Sequence, residues 1–170
     1  MFSLLPWRQA GSVSELTGES LAQAGITLLL ADLDNTLIPY SQDEPDDALH
    51  AWLSDLTAHG VRLFLLSNNR KPQRPAHFAQ CLGIDYLDHA GKPKTGGFFR
   101  ALERCGASAG ESAMVGDQIF TDVLGANRAG VRSILVKPIR LAGNPGRYLR
   151  YWAEAPMRAL SRRRRWKKET

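Results

Sequence analysis

Apolar and polar positions along the chain form two alternating patterns, short continuous apolar runs and longer stretches with helical periodicity. Four apolar runs have the length and composition of buried strands, namely residues 26–33, 61–66, 112–115 and 131–136. Four stretches have helical spacing and are followed within two residues by glycine, namely 45–59, 72–82, 95–104 and 121–129. This alternation predicts an α/β fold in which a mainly parallel sheet carries helices on both faces.

The two ends of the chain differ from this central pattern. The first two dozen residues have apolar positions that predict an amphipathic lead-in helix. With 170 residues, of which 44% are hydrophobic, the chain can bury one substantial core. We therefore expect one domain over 1–139 that includes the lead-in helix, and a basic tail over 140–170 that is partly helical or disordered.

Two carboxylates follow the first apolar run directly, Asp32 and Asp34, with Thr36 next in the motif D-x-D-x-T. Side chains at i and i+2 share one face only while a strand continues, and we expect the chain to turn here. Carboxylates at this position suit a nucleophile and an acid/base held over one metal. The motif alone is weak, because random sequence supplies it in roughly one or two per cent of chains this long.

Further motifs follow in a fixed order, namely Ser67-Asn68, Lys92-Pro93, Gly116-Asp117-Gln118 and Thr121-Asp122. Their order resembles that of the motifs in the haloacid dehalogenase (HAD) superfamily. Their amino-acid sequence is most similar to that of the YqeG family of subfamily IIIA phosphatases, and this resemblance covers residues 6–140. The spacing between them leaves no room for a cap domain. The resemblance implies a HAD-like Rossmannoid three-layer sandwich with a mainly parallel central sheet.

The resemblance also implies a role for each motif in hydrolysing a phosphate monoester. Asp32 would attack phosphorus to give an aspartyl phosphate, and Asp34 would act first as general acid and then as general base. Ser67 and Lys92 would complete the catalytic group. The residues expected to contact the substrate are Thr36, Ser67, Asn68 and Lys92.

The cofactor that the resemblance implies is Mg²⁺, a hard cation that prefers oxygen ligands. Its expected ligands are Asp32, the backbone carbonyl of Asp34, Asp117 and Asp122. Asp122 could instead fix Asp117.

Each motif also has a plainer explanation when it is considered alone. A lone aspartate after a strand is often a helix cap, and a Ser-Asn-Asn sequence is a common turn. Lys92 could be a solvated loop residue, and Lys94 competes for its role. Thr121-Asp122 could cap its helix. The agreement of all motifs in one order favours the catalytic interpretation.

Charge is concentrated at the end of the chain. Residues 140–170 contain ten basic and two acidic residues, a net charge of +8, whereas the rest has −3. Apolar and aromatic residues interleave with the basic ones, namely Tyr148, Leu149, Tyr151, Trp152, Met157, Leu160 and Trp166. This composition suits anionic lipid headgroups or RNA, while a solvated end is the third explanation. Pro156 is predicted to break any long helix in this segment.

A site without a cap is open to water, which favours a large or surface-bound substrate or enclosure by oligomerisation. The YqeG family is similar to phosphatidylglycerophosphate phosphatases, which implies that lipid as substrate, although those relatives have lysine where this chain has Leu33. Two alternatives stay open. One is a soluble phosphatase for a nucleotide, sugar phosphate or phosphoprotein, and the other is a non-catalytic RNA- or ribosome-binding module.

The sequence also predicts a compartment. Its two cysteines have no metal-ligand spacing, and no apolar stretch is long enough to span a membrane or to form a secretory signal. We expect a cytoplasmic protein that can lie on the inner membrane surface.

Overall fold

A parallel sheet of six strands lies at the centre of the computed structural model, which describes residues 3–69, 71–140 and 145–166. The strands are β1 (Arg8–Gln9), β2 (Leu28–Ala31), β3 (Arg62–Leu66), β4 (Asp85–Leu87), β5 (Ser112–Gly116) and β6 (Arg132–Leu135). Their order across the sheet is β1-β6-β5-β2-β3-β4, and every neighbouring pair is parallel. The predicted parallel α/β architecture is confirmed.

Five α-helices connect the strands along the described part of the chain, and a sixth follows the last strand. They are α1 (Gly18–Gln23), α2 (Asp47–Ala58), α3 (Gln73–Leu82), α4 (Gly96–Cys105), α5 (Leu124–Ala129) and α6 (Pro145–Ser161). A π-helical turn over Ile119–Val123 leads into α5, so the helical stretch begins two residues before the predicted one.

Two apolar layers cover the two faces of the sheet, because successive side chains of a strand point to opposite faces. Leu29 and Ala31 of β2 pack in the layer that contains apolar residues of α1, α2 and α3. Leu28 and Leu30 pack in the other layer, with apolar residues of α4 and α5. All four strand residues are fully buried, which explains why the strand appears as a continuous apolar run.

The carboxyl ends of three central strands lie side by side. Ala31, the last residue of β2, is in register with Leu65 of β3 and Val115 of β5. The loops that follow these strands therefore meet at one edge of the sheet, where ligand sites of open α/β sheets are found.

The connections are short, as the motif spacing predicts. One helix, α2, lies between β2 and β3, and α3, β4 and α4 lie between β3 and β5. Neither connection holds a cap domain in the residues that the structure describes. Among the same residues, none of the helices has the length and apolar character needed to cross a bilayer.

The prediction of a lead-in helix over the first two dozen residues is wrong for most of that segment. Arg8 and Gln9 form β1, which pairs with β6, and among the described residues of this segment only α1 is an α-helix. Leu16 and Leu21 belong to two separate short pieces of chain that turn apolar residues toward the same layer. Because both residues face the same layer, their spacing in the sequence resembles the apolar face of a single helix.

The prediction that Pro156 breaks any long helix in the tail is also wrong, because α6 continues through this residue to Ser161. Pro156 is exposed, so it lies on the outer side of the helix. Solvent there can satisfy the carbonyl that the missing proline N–H leaves without a helical partner.

The segment after α6 docks beside the edge strand β1. The backbone N–H of Trp166 donates to the carbonyl of Gln9 at 2.6 Å, and Arg165 forms a parallel bridge with the same residue. The rings of Trp166 and Trp7 pack edge to face, with centroids 5.8 Å apart. Residues 141–144 and 167–170 of the predicted tail lie outside the described residues.

Candidate active site

The loop after β2 turns sharply and carries both aspartates of the first motif. Asn35 has a positive φ of 66°, and its N–H donates to the carbonyl of Ile38 at 2.7 Å. Asp32 and Asp34 are 7% and 6% exposed. The predicted turn is present, and the two carboxylates have different sets of partners.

Lys92 brings the loops of three strands together. Its ammonium lies 2.8 Å from Asp32 Oδ1 and 2.7 Å from Asp122 Oδ1, and it donates to the carbonyl of Leu66 at 2.7 Å. Burial lowers the pKa of Lys92, but the carboxylates of Asp122 and Asp32 raise it by more, so it lies above the ordinary lysine value. Lys94 is exposed, whereas Lys92 is buried among the carboxylates.

The second motif fixes the loop that carries Lys92. Asn68 binds the backbone of Lys92 twice, donating from Nδ2 to the carbonyl at 2.8 Å and accepting from the N–H at 2.9 Å. The hydroxyl of Ser67 accepts a hydrogen bond from the N–H of Asn69 at 3.0 Å. The structure thus places Asn68 as a support for Lys92, and a contact between Asn68 and the substrate stays a prediction.

Asp34 faces a different pair of side chains. Its Oδ2 accepts from Asn69 Nδ2 at 2.8 Å, and its Oδ1 accepts from Arg74 Nε at 3.0 Å. Burial, and next the charge of Asp32, raise the pKa of Asp34, while the hydrogen bonds from Arg74 and Asn69 lower it. The net pKa of Asp34 is above the ordinary aspartate value.

Sequence reasoning missed both partners of Asp34. Asn69 adjoins the Ser67-Asn68 motif, so its position was a usable signal. Arg74 lies in the first turn of α3, 40 residues from Asp34 along the chain, and also forms an ion pair with Asp43. A single arginine at that distance gives no local pattern, and only the folded chain shows it.

Three of the predicted metal ligands converge. Carboxylate oxygens of Asp32, Asp117 and Asp122 lie within 4.8 Å of one another, and all three residues are buried. The side chain of Asp34 is not in this group, and the predicted use of its backbone carbonyl stays a prediction. Thr36 supports the group, because its hydroxyl donates to Asp117 Oδ1 at 3.4 Å. An all-oxygen set of carboxylates fits a hard divalent cation such as Mg²⁺.

The charges of the site also fit a divalent cation. Four carboxylates, Asp32, Asp34, Asp117 and Asp122, face the two cations Lys92 and Arg74. Arg74 is also paired with Asp43, so negative charge exceeds positive charge at the site, and a divalent cation would offset the excess. Burial, and with it the charge of Asp32, raise the pKa of Asp122, whereas the Lys92 ammonium lowers it.

Gly116 makes room for Asp122 at the end of β5. The π-helical turn directs Asp122 back toward the strand, where its Oδ2 accepts a hydrogen bond from the N–H of Gln118 at 3.2 Å. A Cβ atom on residue 116 would overlap the carboxyl group of Asp122. The close approach of the third carboxylate therefore requires glycine at this position.

Known proteins are similar in sequence to the part of the chain that contains this site. A profile described as "Hydrolase: haloacid dehalogenase-like hydrolase" matches residues 9–130. "Probable phosphatase YqeG" of Bacillus subtilis (strain 168) is 32% identical over 157 residues, which are 92% of this chain and 90% of that protein. "Phosphatidylglycerophosphate phosphatase 1, chloroplastic" of Chlamydomonas reinhardtii is 32% identical over 149 residues, which are 83% of this chain and 55% of that protein.

A solved structure has the same fold. The crystal structure of an uncharacterized protein from Listeria monocytogenes serotype 4b superposes with a TM-score of 0.53 at 18% identity, over 73% of this chain and 97% of that one. The matched residues 9–130 contain the motif residues that follow β2, β3 and β5. We conclude that the chain belongs to the haloacid dehalogenase-like hydrolases, within the YqeG family, and is a phosphatase.

Proposed function

We propose that this phosphatase acts through an aspartyl phosphate on Asp32, with Mg²⁺ as its cofactor. We further propose that its substrate is phosphatidylglycerophosphate or a similar lipid phosphate at a membrane surface. The observation that carries the mechanism is the contact of Lys92 with Asp32 and Asp122, beside the third carboxylate of Asp117. This arrangement provides a nucleophile, a fixed positive charge and a candidate cation site in one buried cluster.

In the first half of the reaction, a carboxylate oxygen of Asp32 forms a bond to phosphorus, and the bond from phosphorus to the ester oxygen breaks. Asp34, in its protonated form, gives its proton to the leaving oxygen, which departs as an alcohol. Asn69 and Arg74 hold the Asp34 carboxyl group in a fixed orientation for this transfer.

In the second half, a water oxygen bonds to the phosphorus of the aspartyl phosphate, and the bond from phosphorus to Asp32 breaks. Asp34 takes the proton of the water, so the free carboxylate of Asp32 and inorganic phosphate result. Lys92 neutralises the phosphoryl oxygens in both halves, and the Ser67 hydroxyl with Thr36 contacts them. Mg²⁺, held by Asp32, Asp117 and Asp122 with the Asp34 carbonyl, would supply further neutralisation of phosphoryl charge.

The outer face of α6 supports the choice of a lipid substrate. The exposed side chains described for this helix are all apolar, and the largest are Tyr148, Leu149, Trp152 and Leu160 at 42%, 75%, 73% and 64% exposure. A surface helix usually turns its apolar side inward. The opposite orientation, with large apolar residues in a continuous exposed face, is typical of an interaction surface.

Charge next to this face favours an anionic membrane as its partner. Four exposed arginines, Arg162 to Arg165, directly follow the end of α6. Near an anionic surface each basic residue contributes about 1 kcal/mol to binding, and the apolar face can enter the interfacial region. The name of the Chlamydomonas relative, which specifies a lipid phosphate, also supports this proposal.

The test compares two substrates in the presence of Mg²⁺, phosphatidylglycerophosphate in mixed micelles and a soluble aryl phosphate. We expect Asp32-dependent phosphate release with preference for the lipid, and we expect Asp32→Asn to lower turnover by several orders of magnitude. Asp85→Asn, an exposed aspartate of β4, is the matched control and should retain activity. Near wild-type turnover in Asp32→Asn would contradict the assignment of the nucleophile.

The membrane surface is tested separately by sedimentation with vesicles of phosphatidylglycerol or phosphatidylcholine. We expect binding to the anionic vesicles, and reduced binding in Trp152→Ser. Phe99→Ser is the matched control, since Phe99 is an exposed aromatic residue of α4 at 53% exposure. In the substrate comparison, activity on the soluble ester alone would favour the soluble phosphatase. Binding of the protein to RNA, without binding to vesicles, would assign the basic segment to nucleic acid.

A further inference from the structure

The inner face of α6 is polar and buried, which is unusual for a helix at the surface. Glu154 and Arg158 are only 1% and 9% exposed, and they lie one turn apart on the side opposite Leu149 and Trp152. Both side chains contact the loop between β5 and α5, which carries Asp117 and Asp122. This pair connects the last helix to the candidate metal ligands.

Glu154 supplies the helix cap that the local sequence lacks. Its Oε1 accepts hydrogen bonds from the N–H groups of Ile119 at 2.8 Å and Phe120 at 3.2 Å, at the start of the π-helical turn. Gln118, at the capping position, makes no side-chain capping hydrogen bond. A carboxylate at a helix start both satisfies free N–H groups and offsets the helix dipole.

Arg158 holds the backbone of a candidate metal ligand. Its Nη2 donates to the carbonyl of Asp117 and lies 2.6 Å from Glu154 Oε2. The guanidinium also stacks over the ring of Tyr151, with its carbon 4.5 Å from the ring centroid. The orientation of the Asp117 peptide is therefore fixed by a side chain 41 residues away.

The pair does not change the net charge of the site, because Glu154 and Arg158 neutralise each other. Buried ion pairs are also poor sources of stability, since desolvation cancels much of their attraction. Its most direct effect is geometric, on the loop that brings Asp117 and Asp122 toward Asp32.

We propose that Glu154 and Arg158 are positioning residues, which hold the Asp117–Asp122 loop in the conformation that lets three carboxylates bind one divalent cation. Neither side chain contacts the carboxylate oxygens of the cluster in the hydrogen bonds described above. They act through the backbone of Asp117, Ile119 and Phe120. Their importance for turnover rests on the proposed function, but their effect on metal binding does not.

The experiment uses the full chain and measures Mn²⁺ binding by electron paramagnetic resonance, together with the melting temperature. The main variant is the double substitution Glu154→Gln with Arg158→Met. Glutamine keeps an oxygen that can accept from Ile119 and Phe120, and no unpaired buried charge remains. We expect its melting temperature to stay within about 4 °C of wild type. Its dissociation constant for Mn²⁺ should rise by roughly 10- to 100-fold.

Two kinds of comparison separate positioning from general damage. Glu103→Gln with Arg100→Met makes the same chemical changes at exposed positions of α4 and should bind Mn²⁺ like wild type. Arg158→Lys keeps a positive charge and should have an intermediate affinity for Mn²⁺. In steady-state kinetics the main variant should lower kcat more than it raises KM, because neither residue contacts substrate.

Wild-type Mn²⁺ affinity in a folded main variant would overturn the proposal. If the main variant is too unstable to measure, the Mn²⁺ affinity of Arg158→Lys is compared with that of wild type instead. Equal affinities would then count against a positioning role. A wild-type protein that binds Mn²⁺ but hydrolyses no phosphate ester would refute the proposed function alone, and the binding comparison would still test the pair.

Discussion

At the scale of single residues, the site depends on side chains that are held by other side chains. Lys92 illustrates this most clearly, because Asn68 fixes its backbone while Asp32 and Asp122 fix its ammonium. A lysine with four rotatable bonds loses conformational entropy in such a site, and this loss is offset by charge-assisted hydrogen bonds. The positive charge of Lys92 is therefore already in position for the role in phosphate binding that we propose for it.

Gly116 is the residue at which space, rather than charge, limits the site. In Gly116→Ala the new methyl group would displace the Asp122 carboxyl group, which should remove most Mg²⁺ affinity and cost about 1–3 kcal/mol of stability. Calorimetric titration with Mg²⁺ and urea unfolding measure these two effects. Gly96→Ala is the matched control, because open space surrounds that glycine. Equal Mg²⁺ affinity in both variants would show that Asp122 does not need this space.

The sequence predicts residues of the site best where they directly follow a strand. Asp32, Ser67 and Asp117 are visible because a buried strand is a distinct apolar run and its end is the expected place for chemistry. Arg74 and Glu154 were missed because each reaches its partner from another element, and nothing in their neighbours along the chain marks them.

At the scale of elements, the buried core strands were easier to predict than the short edge strand β1. The core strands β2, β3, β5 and β6 were expected within about two residues, since burial on both faces leaves a clear apolar signal. β1 has only two residues, and its pairing with β6 spans more than a hundred positions of the chain. No periodicity can be read from two residues.

The docked segment after α6 should contribute measurably to stability. Trp166 is 8% exposed and packs on Trp7, so Trp166→Ala should lower the free energy of unfolding by roughly 3–5 kcal/mol. Trp152→Ala removes the same side chain from an exposed position and should change stability by less than about 0.5 kcal/mol in the absence of lipid. Urea unfolding measures both variants, and equal losses would mean that the segment does not dock in solution.

At the scale of the whole molecule, charge divides the sequence into two parts. The residues up to 139 have a net charge of −3, whereas residues 140–170 have +8. An anionic surface attracts the second part and repels the first, so the field of such a surface orients the molecule before contact. High salt should weaken this orientation, because it screens the charges.

Cation binding should stabilise the entire fold, because the carboxylate cluster exists only when the loops of β2 and β5 are in place. At a Mg²⁺ concentration a hundredfold above the dissociation constant the gain is about 2.7 kcal/mol, or roughly 5–10 °C in melting temperature for a chain of this size. Scanning calorimetry with Mg²⁺ and with chelator measures the shift. Asp117→Asn should lose most of it, and an unchanged shift in that variant would exclude Asp117 as a ligand.

The position of the Lys92 ammonium has a consequence for how the protein is made in the cell. An internal cation already compensates part of the charge of Asp32 and Asp122, and it also binds the last carbonyl of β3. A newly synthesised chain can therefore reach its final topology before it meets any divalent ion. Zinc fingers and many other small metal-binding domains, by contrast, fold only when their metal is bound. For this phosphatase, we therefore expect that the chain can fold without a divalent ion, which would then add to the stability of the folded protein.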